Sequence, residues 1–304
     1  MKPNVQVLLS TYNGERFLET QIESLFEQKD INLSILIRDD GSTDNTINIL
    51  KKYQNHNNIE VIFAENVGVI DSFFELIQQA NLENDYFAFC DQDDFWRNYK
   101  IFNAIEKIEE IPEKDSAILY ASSLELVDDK LNPIGYSSYR NIKTSFENAL
   151  VENVVTGCTA VINKQALKLI KEKKPEFCLM HDWWMYLVIS AFGIIIYDEK
   201  SSIKYRQHGN NVVGMKNSFF TKMIDKINRF MKRTDRDLLI KQAEEFSKLY
   251  SQNDYGIYKG ELSRFIEHRN NFLQSMKYSI KMKVYRQNFV DNIFLRLLVF
   301  FRLI

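Results

Sequence analysis

The sequence predicts an α/β protein with a mostly parallel sheet, helices on both faces of that sheet, and a helical extension after it. Apolar, strand-like runs alternate with helical patterns over residues 5–121, and short connections join them. From about residue 219 the pattern is helical only. Because 45% of the 304 residues are hydrophobic and 13% are aromatic, the chain has enough apolar side chains for a large core.

The first half of the chain contains five predicted strands separated by four predicted helices. The strands are 5–9, 33–38, 59–63, 86–90 and 117–121, and the helices are 14–28, 43–55, 69–80 and 99–108. Each strand is a short, continuous apolar run, which is typical of strands covered on both faces. Ser42, Thr43 and Asp44 stand at the start of the second helix and are suitable N-cap residues.

The second half mixes the two kinds of element. We predict a hairpin at 124–134, helices near 146–152, at 164–173 and at 183–192, and strands near 160–163 and at 194–197. Apolar residues at helical spacing after residue 219, among them Met223 and Ile227, predict helices that form an extension rather than a second enzyme domain.

Composition excludes several classes of protein. Four prolines and ten glycines, without an internal repeat, exclude low-complexity and collagen-like chains. Cys90, Cys158 and Cys178 are far apart and each is in an apolar setting, so we expect reduced core thiols in a cytosolic protein. No secretory leader is visible before residue 5, and no run of about 18 uncharged apolar residues predicts a spanning helix.

Charge is distributed unevenly along the chain, although the formal net charge is only -2. Residues 214–304 contain 18 Lys and Arg against nine Asp and Glu, a formal charge of +9. Residues 1–213 contain 21 against 32, a formal charge of -11. We therefore predict two parts: an acidic body at 1–213 that suits metal ions, and a basic helical extension at 214–304 that suits an anionic surface.

The most informative motif follows the fourth predicted strand. Asp91, Asp93 and Asp94 place three carboxylates within four positions. Carboxylates this close repel one another, and at the edge of a core they stay ionised only beside a hard divalent cation or several hydrogen-bond donors. Ligands of α/β proteins bind at the carboxyl ends of strands, which favours a metal site here. The alternative is a polar turn in which Asp93 or Asp94 caps the next helix.

Polar residues also follow the first three predicted strands. They occupy positions 10–15, 38–44 and 65–68. No Gly-x-Gly-x-x-Gly follows the first strand and no Gly-Lys-Ser/Thr loop is present, so the usual dinucleotide and P-loop sites lack their phosphate-binding loops. The four strand ends therefore predict a different ligand site at one edge of the sheet.

Six motifs in order carry a resemblance to a known family. They are Ser-Thr-Tyr-Asn at 10–13, Asp-Asp-Gly-Ser-Thr-Asp at 39–44, Asp-x-Asp at 91–93, Thr-Gly-Cys-Thr at 156–159, His-Asp-Trp-Trp at 181–184 and Tyr-Arg-Gln-His at 205–208. In these motifs the chain resembles the inverting nucleotide-sugar glycosyltransferases of family two, which have the Rossmann-like GT-A fold. The resemblance covers residues 4–213, and the basic extension is not part of the general family pattern.

The resemblance implies a donor site for a nucleoside diphosphate sugar. Ser10 and Tyr12 would hold the base and ribose, and Asp40 would accept the pyrimidine N3–H, with Asp39 equally placed in the sequence. The remaining donor residues implied are Asn13, Glu15, Asn66, Asp91, Gln92 and Asp94, the last two near the donor sugar.

The resemblance also implies a Mg²⁺ or Mn²⁺ ion at the donor diphosphate. Asp93 would be a direct ligand, His208 a further ligand, and Asp91 would face the ribose or a metal-bound water. A divalent cation there would neutralise the negative charge that develops as the diphosphate leaves. Arg206 would contact phosphate or be a solvated surface charge.

The acceptor side is implied by the next motifs. Asp182 would be the general base that takes the proton of the acceptor hydroxyl, with a helix cap as the alternative role. The implied acceptor residues are Gly157, Cys158, His181, Trp183 and Trp184. Indole rings suit the C–H faces of sugars, although core packing is the alternative for Trp184.

The resemblance therefore predicts a metal-dependent inverting glycosyltransferase of cell-surface polysaccharide synthesis. The forms at 91–96 and 181–184 resemble those of bacterial rhamnosyltransferases, so dTDP-L-rhamnose is the expected donor and a saccharide or lipid-linked saccharide the acceptor. UDP-galactose or UDP-glucose is the rival donor. A noncatalytic nucleotide-sugar-binding subunit of a membrane assembly is an alternative. A nucleotidyltransferase is another, but 12–16 is a poor version of the glycine-rich basic loop that it needs.

Partners of the extension follow from its composition. Basic and apolar residues interleave at 219–233, and 293–304 adds an apolar stretch. This composition suits an anionic membrane surface, with the protein cytoplasmic and peripheral at the inner face of the plasma membrane. Packing on the catalytic body or on a second subunit, as in a homo-oligomer, is the alternative. Nucleic acid is a poor fit because no recognised nucleic-acid module is present.

Overall fold

A computed structural model describes residues 1–137, 141–207, 237–252, 256 and 258–304. These residues pack into two compact units. The first unit comprises Met1–Ser145, Asn153–Lys174 and Met180–Arg206, and the second comprises Phe146–Glu152, Pro175–Leu179 and Gln207–Ile304. Each unit consists of three separate segments of the chain, whereas the sequence predicted one boundary, at 213–214.

The first unit contains all the described strands. They are β1 (Asn4–Thr11), β2 (Asn32–Asp39), β3 (Ile59–Phe63), β4 (Tyr86–Cys90), β5 (Phe95–Trp96), β6 (Ile118–Ser122), β7 (Glu125–Val127), β8 (Pro133–Tyr136), β9 (Val161–Asn163), β10 (Ile194–Asp198) and β11 (Ile203–Arg206). Seven of them form a sheet in the order β10-β6-β9-β4-β1-β2-β3. Only β9 runs antiparallel to its neighbours in this sheet, so the predicted mostly parallel sheet is confirmed.

A second, four-stranded sheet has the order β5-β11-β7-β8. The hairpin predicted at 124–134 is its β7–β8 pair, which is antiparallel. Strand β11 runs parallel to β7 and antiparallel to β5. This sheet brings β11, from the end of the first unit, beside the residues that follow β4.

The described α-helices alternate with the strands in the first unit, and those of the second unit, apart from Phe146–Ala149, follow the last strand. They are α1 (Leu18–Phe26), α2 (Thr46–Tyr53), α3 (Val69–Gln79), α4 (Lys100–Glu109), α5 (Phe146–Ala149), α6 (Lys164–Glu172), α7 (His181–Phe192), α8 (Leu238–Tyr250), α9 (Tyr258–Glu267), α10 (Phe272–Lys281) and α11 (Phe289–Phe300). None of them is long and apolar enough to span a bilayer.

The core of the first unit explains its element pattern. Val7 and Leu8 are consecutive in β1 and point to opposite faces of the sheet, yet both are fully buried, so both faces are covered. Helix α4 buries Ile101, Ala104 and Ile108, which recur at helical spacing on one side. Burial on both faces of the sheet requires apolar strands, which is why the strands were visible in the sequence.

The second unit has an aromatic core of its own. The ring of Phe146 lies 5.3 Å from that of Phe246 and 5.0 Å from that of Tyr258, centroid to centroid. The side-chain amide of Asn148 donates to the carbonyl of Tyr285 at 2.9 Å. The short helix α5 therefore packs with the C-terminal helices and not only with its sequence neighbours.

Most predicted elements are confirmed, and the differences lie at their ends. Strands β3 and β4 have the predicted bounds, and α3 differs from its prediction by one residue. Helix α1 begins at Leu18 rather than Gly14, and α7 begins at His181 rather than Trp183. The helix predicted around 219–231 lies outside the described residues.

One predicted alternative is wrong. Helix α4 begins at Lys100 with Tyr99 at its N-cap, five residues beyond Asp94. Asp93 and Asp94 therefore do not cap it, because capping carboxylates reach only the first turn. All three cysteines are free and buried, as predicted.

Candidate active site

A cavity of about 470 Å³ lies at the carboxyl ends of β1, β2 and β4. The parallel register pairs Ser10 with Arg38 and Leu9 with Cys90, so the residues that follow these strands meet at one edge of the sheet. The cavity is lined by Ser10, Tyr12, Asp40, Asn66, Gly68, Val69, Asp91, Gln92, Asp93 and Tyr205. Seven of these residues are among the predicted donor and metal ligands.

The turn after β2 separates the roles of two neighbouring aspartates. Gly41 has a φ of +78°, a backbone conformation that glycine adopts without steric cost. The carboxylate of Asp39 accepts a hydrogen bond from the backbone N–H of Ser42 at 3.0 Å and so closes the turn. Asp39 is therefore engaged in the turn, and Asp40 is the aspartate that faces the cavity.

Arg38 and Asp40 form a buried ion pair in the cavity wall. The Arg38 guanidinium also donates to the carbonyl of Glu65 at 3.0 Å. The carboxylate of Asp40 accepts from the backbone N–H groups of Val67 and Gly68, both at 2.9 Å. The pair thus holds the β3–α3 turn beside β2. Asp40 Oδ2 accepts only one of these bonds, which leaves a lone pair for a ligand.

Ser10 and Tyr12 stand on the same side of the cavity. Ser10 Oγ lies 2.6 Å from Ser72 Oγ, and Ser72 also accepts from Arg38 at 3.1 Å. Tyr12 is about half exposed, so its ring is accessible to a planar ligand. These positions suit the predicted contact with a nucleobase and ribose.

Three predicted donor residues form hydrogen bonds with the protein's own loops. Gln92 accepts from the backbone N–H of Tyr12 at 2.8 Å and donates to the carbonyl of the same residue at 3.1 Å. Asn13 accepts from the backbone N–H of Thr43 at 2.8 Å, and Glu15 accepts from that of Asn45 at 2.9 Å. These side chains fix the β1–α1 loop, and only Gln92 among them lines the cavity.

The acidic motif after β4 forms a tight cluster. The ligand atoms of Asp91, Asp94 and Cys158 lie within 4.8 Å of one another. Asp94 is fully buried and away from the cavity wall; its Oδ1 accepts from the backbone N–H of Arg206 at 3.3 Å. Among the described residues, no N–H or O–H donor reaches Asp94 Oδ2.

Electrostatics in this cluster favour a bound cation. Burial raises the pKa of Asp91 to about 7, and repulsion from Asp93 and Asp182 adds to the shift. Burial also raises the pKa of Asp94 well above its usual range, again with repulsion from Asp93. Positive charge near these carboxylates would favour their ionised forms. The further ligand predicted for such an ion, His208, lies outside the described residues.

A buried lysine lies close to the acidic cluster. The Nζ of Lys100 lies 3.5 Å from the ring centroid of Trp96, and both side chains are fully buried. Burial lowers the pKa of Lys100 to about 8, while the charge of Asp94 opposes that shift. The ring and the nearby carboxylate thus partly offset the cost of burying an ammonium group.

Asp182 is a buried carboxylate in the first turn of α7. Its Oδ1 accepts from Asn153 at 3.0 Å and from the backbone N–H of Trp183 at 2.6 Å, and its Oδ2 accepts from the backbone N–H of Gly157 at 2.9 Å. Burial raises the pKa of Asp182 to about 6, although these hydrogen bonds oppose the shift. A carboxylate with this pKa is ionised near neutral pH and can accept a proton.

His181 packs beside Asp182 as a neutral ring. It stacks on Phe73 with a centroid distance of 3.9 Å, and burial lowers its pKa to about 3. Gly157 lies against it: a Cβ at position 157 would be 2.8 Å from His181 Nε2. The absence of a side chain at Gly157 therefore lets the backbone N–H reach Asp182.

The predicted acceptor residues differ in their accessibility. Trp183 is half-buried, whereas Trp184 is fully buried in the core, as the packing alternative proposed. Gly157, Cys158 and His181 are buried beside Asp182 or the acidic cluster. Asp182 and these five residues do not line the cavity, and their roles toward an acceptor stay predictions.

Several residues of the site had no predicted role. Tyr205, Gly68 and Val69 line the cavity, Asn153 holds Asp182, and Lys100 lies under the acidic cluster. Tyr205 is part of a quoted motif, which was a usable signal. The positions of Asn153 and Lys100 depend on long-range packing that has no short sequence pattern.

The model of glycosyl transferase family 2 matches residues 6–170, more than half of the chain. The chain belongs to glycosyl transferase family 2. A curated relative agrees with this: the dTDP-rhamnosyl transferase RfbG of Shigella flexneri is 37% identical over 235 residues, which cover 70% of this chain and 76% of the relative. This family 2 chain is therefore a glycosyltransferase.

A more distant relative covers a similar share of the family 2 chain. The putative teichuronic acid biosynthesis glycosyltransferase TuaG of Bacillus subtilis is 25% identical over 243 residues, which cover 77% of this chain and 92% of the relative.

Solved structures support the GT-A fold. Residues 1–349 of S. aureus TarS in complex with UDP-GlcNAc superpose with a TM-score of 0.55 and 15% identity, covering 90% of this chain and 83% of that TarS chain. The mannosyltransferase PcManGT of Pyrobaculum calidifontis, in complex with GDP-Man and Mn²⁺, gives 0.53 and 15%, covering 88% and 70%. The predicted α/β GT-A architecture is confirmed.

Proposed function

We propose that this family 2 glycosyltransferase transfers L-rhamnose from dTDP-L-rhamnose to a saccharide or lipid-linked saccharide acceptor, with inversion and with a divalent cation. The observation that carries the proposal is the cavity at the strand ends, which is lined both by polar groups suited to a nucleobase and by the carboxylates of Asp91 and Asp93. The choice of donor sugar rests on the 37% identity to a protein described as a dTDP-rhamnosyl transferase.

The nucleobase side of the proposed donor site consists of Ser10, Tyr12 and Asp40. Tyr12 offers an accessible ring, and Asp40 keeps a lone pair on Oδ2 that can accept an N–H. Thymine and uracil both present an N3–H, whereas a carboxylate cannot donate to an acceptor nitrogen. The chemistry of Asp40 is therefore compatible with the thymine or uracil of the proposed donor.

The diphosphate side fits a hard divalent cation. Asp91 and Asp93 line the cavity and offer carboxylate oxygens, and Asp94 Oδ2 lies buried near Asp91 without an N–H or O–H donor among the described residues. Cys158 fits less well, because burial raises the pKa of its thiol and Mn²⁺ and Mg²⁺ prefer oxygen. Asp91 and Asp93 would hold the ion, which when bound would neutralise charge on the departing diphosphate.

The acceptor side depends on Asp182. Its carboxylate is held by three hydrogen bonds, so it presents a fixed orientation. As the general base it would accept the proton of the acceptor hydroxyl while that oxygen attacks the anomeric carbon opposite the diphosphate. Asp182 accepts from Gly157, and the next residue, Cys158, has its thiol within 4.8 Å of a carboxylate oxygen of Asp91, which supports a base close to the diphosphate side, as in-line attack requires.

A panel of nucleotide sugars tests the proposal. We would measure nucleoside diphosphate release and thermal stabilisation with dTDP-L-rhamnose, UDP-galactose, UDP-glucose and GDP-mannose, each with Mn²⁺, with Mg²⁺ and with chelator. The expected result is a metal-dependent response that is largest with dTDP-L-rhamnose. A larger response to a UDP-hexose would overturn the donor, and no response to any nucleotide sugar would overturn the enzyme site.

The variant Asp182→Asn separates an enzyme from a binding subunit. We expect it to lose turnover while metal-dependent donor binding persists, because the amide is nearly isosteric but cannot accept the proton. Unchanged turnover would exclude Asp182 as the base. Donor binding without turnover in the unmodified chain, across a panel of saccharide acceptors, would favour the noncatalytic role.

A further inference from the structure

Helix α11 has apolar side chains on two opposite sides. Leu295, Leu298 and Val299 are buried within the second unit. Phe289, Ile293 and Leu297 follow at four-residue spacing on the other side and are exposed, Phe289 to 77%. A helix with apolar residues on two opposite sides is normally covered on both of them. The outer side of α11 therefore lacks a covering surface among the described residues.

Helix α10 pairs with α11 as an antiparallel hairpin. The rings of Phe272 and Phe300 lie 5.6 Å apart, centroid to centroid, and Ser275 bonds to the carbonyl of Val299. At the other end Arg296 donates to the carbonyl of Ile280 at 3.0 Å. We call helices α10 and α11, with the loop between them, the C-terminal hairpin (residues 272–300).

The exposed side of α10 mixes apolar and basic residues. Leu273, Lys277, Ile280 and Lys281 recur at helical spacing and are all exposed, Ile280 to 72%. Neither Lys277 nor Lys281 makes an ion pair with a described residue. On this helix face Lys277 lies between the exposed side chains of Leu273 and Ile280, and Lys281 follows Ile280.

The net charge of the C-terminal hairpin indicates which kind of partner could cover its exposed apolar side. Residues 271–304 contain six Lys and Arg and one acidic residue, Asp291. A second copy of the hairpin would bring two strongly positive surfaces together, which electrostatic repulsion opposes. The centres of protein interfaces are also depleted in lysine. On a lipid surface, by contrast, lysine extends its charge to the headgroups while its methylene chain stays in the apolar layer.

We propose that the C-terminal hairpin docks on the surface of an anionic membrane. Its exposed apolar side chains enter the boundary between headgroups and acyl chains, and the exposed lysines beside them, Lys277 and Lys281, contact anionic headgroups. Both features belong to helices that lie in the membrane interface. This inference stands independently of the donor sugar, because it uses no residue of the cavity.

Sedimentation of the full chain with vesicles tests the inference. We would compare phosphatidylcholine vesicles with vesicles that also contain phosphatidylglycerol, at low and high salt. The expected result is binding to the anionic vesicles that weakens as salt rises, because counterions screen the attraction. Equal binding to both kinds of vesicle, or no binding to either, would overturn the proposal.

Variants locate the contact. We expect Ile293→Ser with Leu297→Ser to weaken vesicle binding about tenfold or more, since two exposed aliphatic side chains that would enter the lipid are lost. Lys277→Gln with Lys281→Gln should weaken it by more than tenfold, at about fivefold per charge. The matched controls are Ile134→Ser and Lys51→Gln, which alter exposed residues of the first unit and should leave binding unchanged.

A fluorescence measurement tests whether the hairpin itself enters lipid. The three natural tryptophans lie in the first unit, so Leu297→Trp adds a probe on the hairpin. Brominated lipid should quench this probe but not a control probe, Ser263→Trp, on α9.

Vesicle binding that persists unchanged in the hairpin variants would overturn the proposal. So would a dimer in lipid-free solution that becomes a monomer in the Ile293→Ser, Leu297→Ser variant, since a second copy would then cover this face.

Discussion

At Asp182, burial and hydrogen bonding act on the carboxyl group in opposite directions, and burial dominates, so its pKa rises to about 6. Below that pH the carboxyl group holds a proton and cannot accept another. We therefore expect turnover to fall about tenfold for each pH unit below 6 and to be level above it. The measurement is kcat against pH at saturating donor, acceptor and metal.

The fall in turnover below pH 6, the acidic limb of the profile, should disappear when Asp182 is replaced. Asp182→Asn should lower kcat by about 10²- to 10⁴-fold and leave no limb near pH 6. Asp71→Asn is the matched control, because Asp71 is an exposed aspartate of the same unit that pairs with Lys174 on the surface. A limb near pH 6 that survives in Asp182→Asn would assign the titration to another group.

Gly157 is the residue where packing and catalysis meet. A methyl group there would collide with His181, and the backbone N–H of the same residue holds Asp182. We expect Gly157→Ala to destabilise the fold by about 1–3 kcal/mol and to lower kcat as Asp182 shifts. Urea unfolding and kcat measure the two effects.

A second substitution tests whether the stability loss in Gly157→Ala comes from the contact with His181. His181→Ala removes the colliding ring, so Gly157→Ala in that background should cost less stability than it does alone. If the two changes are additive, contact between position 157 and the imidazole is not the source of the strain.

At the level of single residues, the sequence predicted which polar side chains reach the cavity better than it predicted their hydrogen-bond partners. Asp40, Asp91 and Asp93 were identified from polar motifs at strand ends, and they line the cavity. Asn13 and Glu15 belong to the same motifs but bond to the loop at 43–45. A motif shows which side chains reach one edge of the sheet. Whether such a side chain faces the cavity or bonds to a loop depends on contacts with residues about thirty positions away in the sequence, which the motif does not contain.

At the level of secondary structure, Gly193 links α7 to β10 at a point where two backbones nearly touch. A Cβ on Gly193 would lie 2.0 Å from the carbonyl oxygen of Ala117, which is backbone and cannot rotate away. Gly193→Ala should therefore destabilise the first unit by about 3 kcal/mol or more. Thermal unfolding followed by circular dichroism measures this loss.

A second glycine provides the matched control. Gly260 lies within α9, and a Cβ there would meet nothing within 4 Å. Because alanine favours helix over glycine, Gly260→Ala should stabilise the chain by about 0.5–1 kcal/mol. If the two alanine variants changed stability by similar amounts, the close approach at position 193 would not be real.

The elements differ in how visible they were in the sequence. Strands β3 and β4 are apolar runs bounded by polar turns, so their bounds could be predicted. Strand β5 has two residues and no periodicity, and it exists because β11 pairs with it from more than a hundred residues away. The antiparallel direction of β9 likewise depends on where the chain returns to the sheet, which local patterns do not show.

At the level of the whole molecule, an acidic body and a basic extension are joined in one chain, and each compact unit holds one proposed contact. The cavity with its carboxylates lies in the first unit, and the C-terminal hairpin lies in the second. This arrangement fits an enzyme that uses a soluble, anionic donor and works at an anionic surface. The cavity and the C-terminal hairpin share no residue. A variant of one should therefore leave the binding by the other unchanged.

Metal binding should stabilise the folded chain, because Asp91, Asp93 and Asp94 repel one another and a cation relieves that repulsion. At a free Mn²⁺ concentration 100 times its dissociation constant, the gain is about 2.7 kcal/mol. For a unit of this size that is a rise in unfolding temperature of roughly 5–10 °C. Differential scanning calorimetry with Mn²⁺ and with chelator measures it. Asp93→Asn should lose most of the rise, whereas Glu83→Gln, on the exposed α3–β4 loop, should keep it; equal rises in both variants would exclude Asp93 as a ligand.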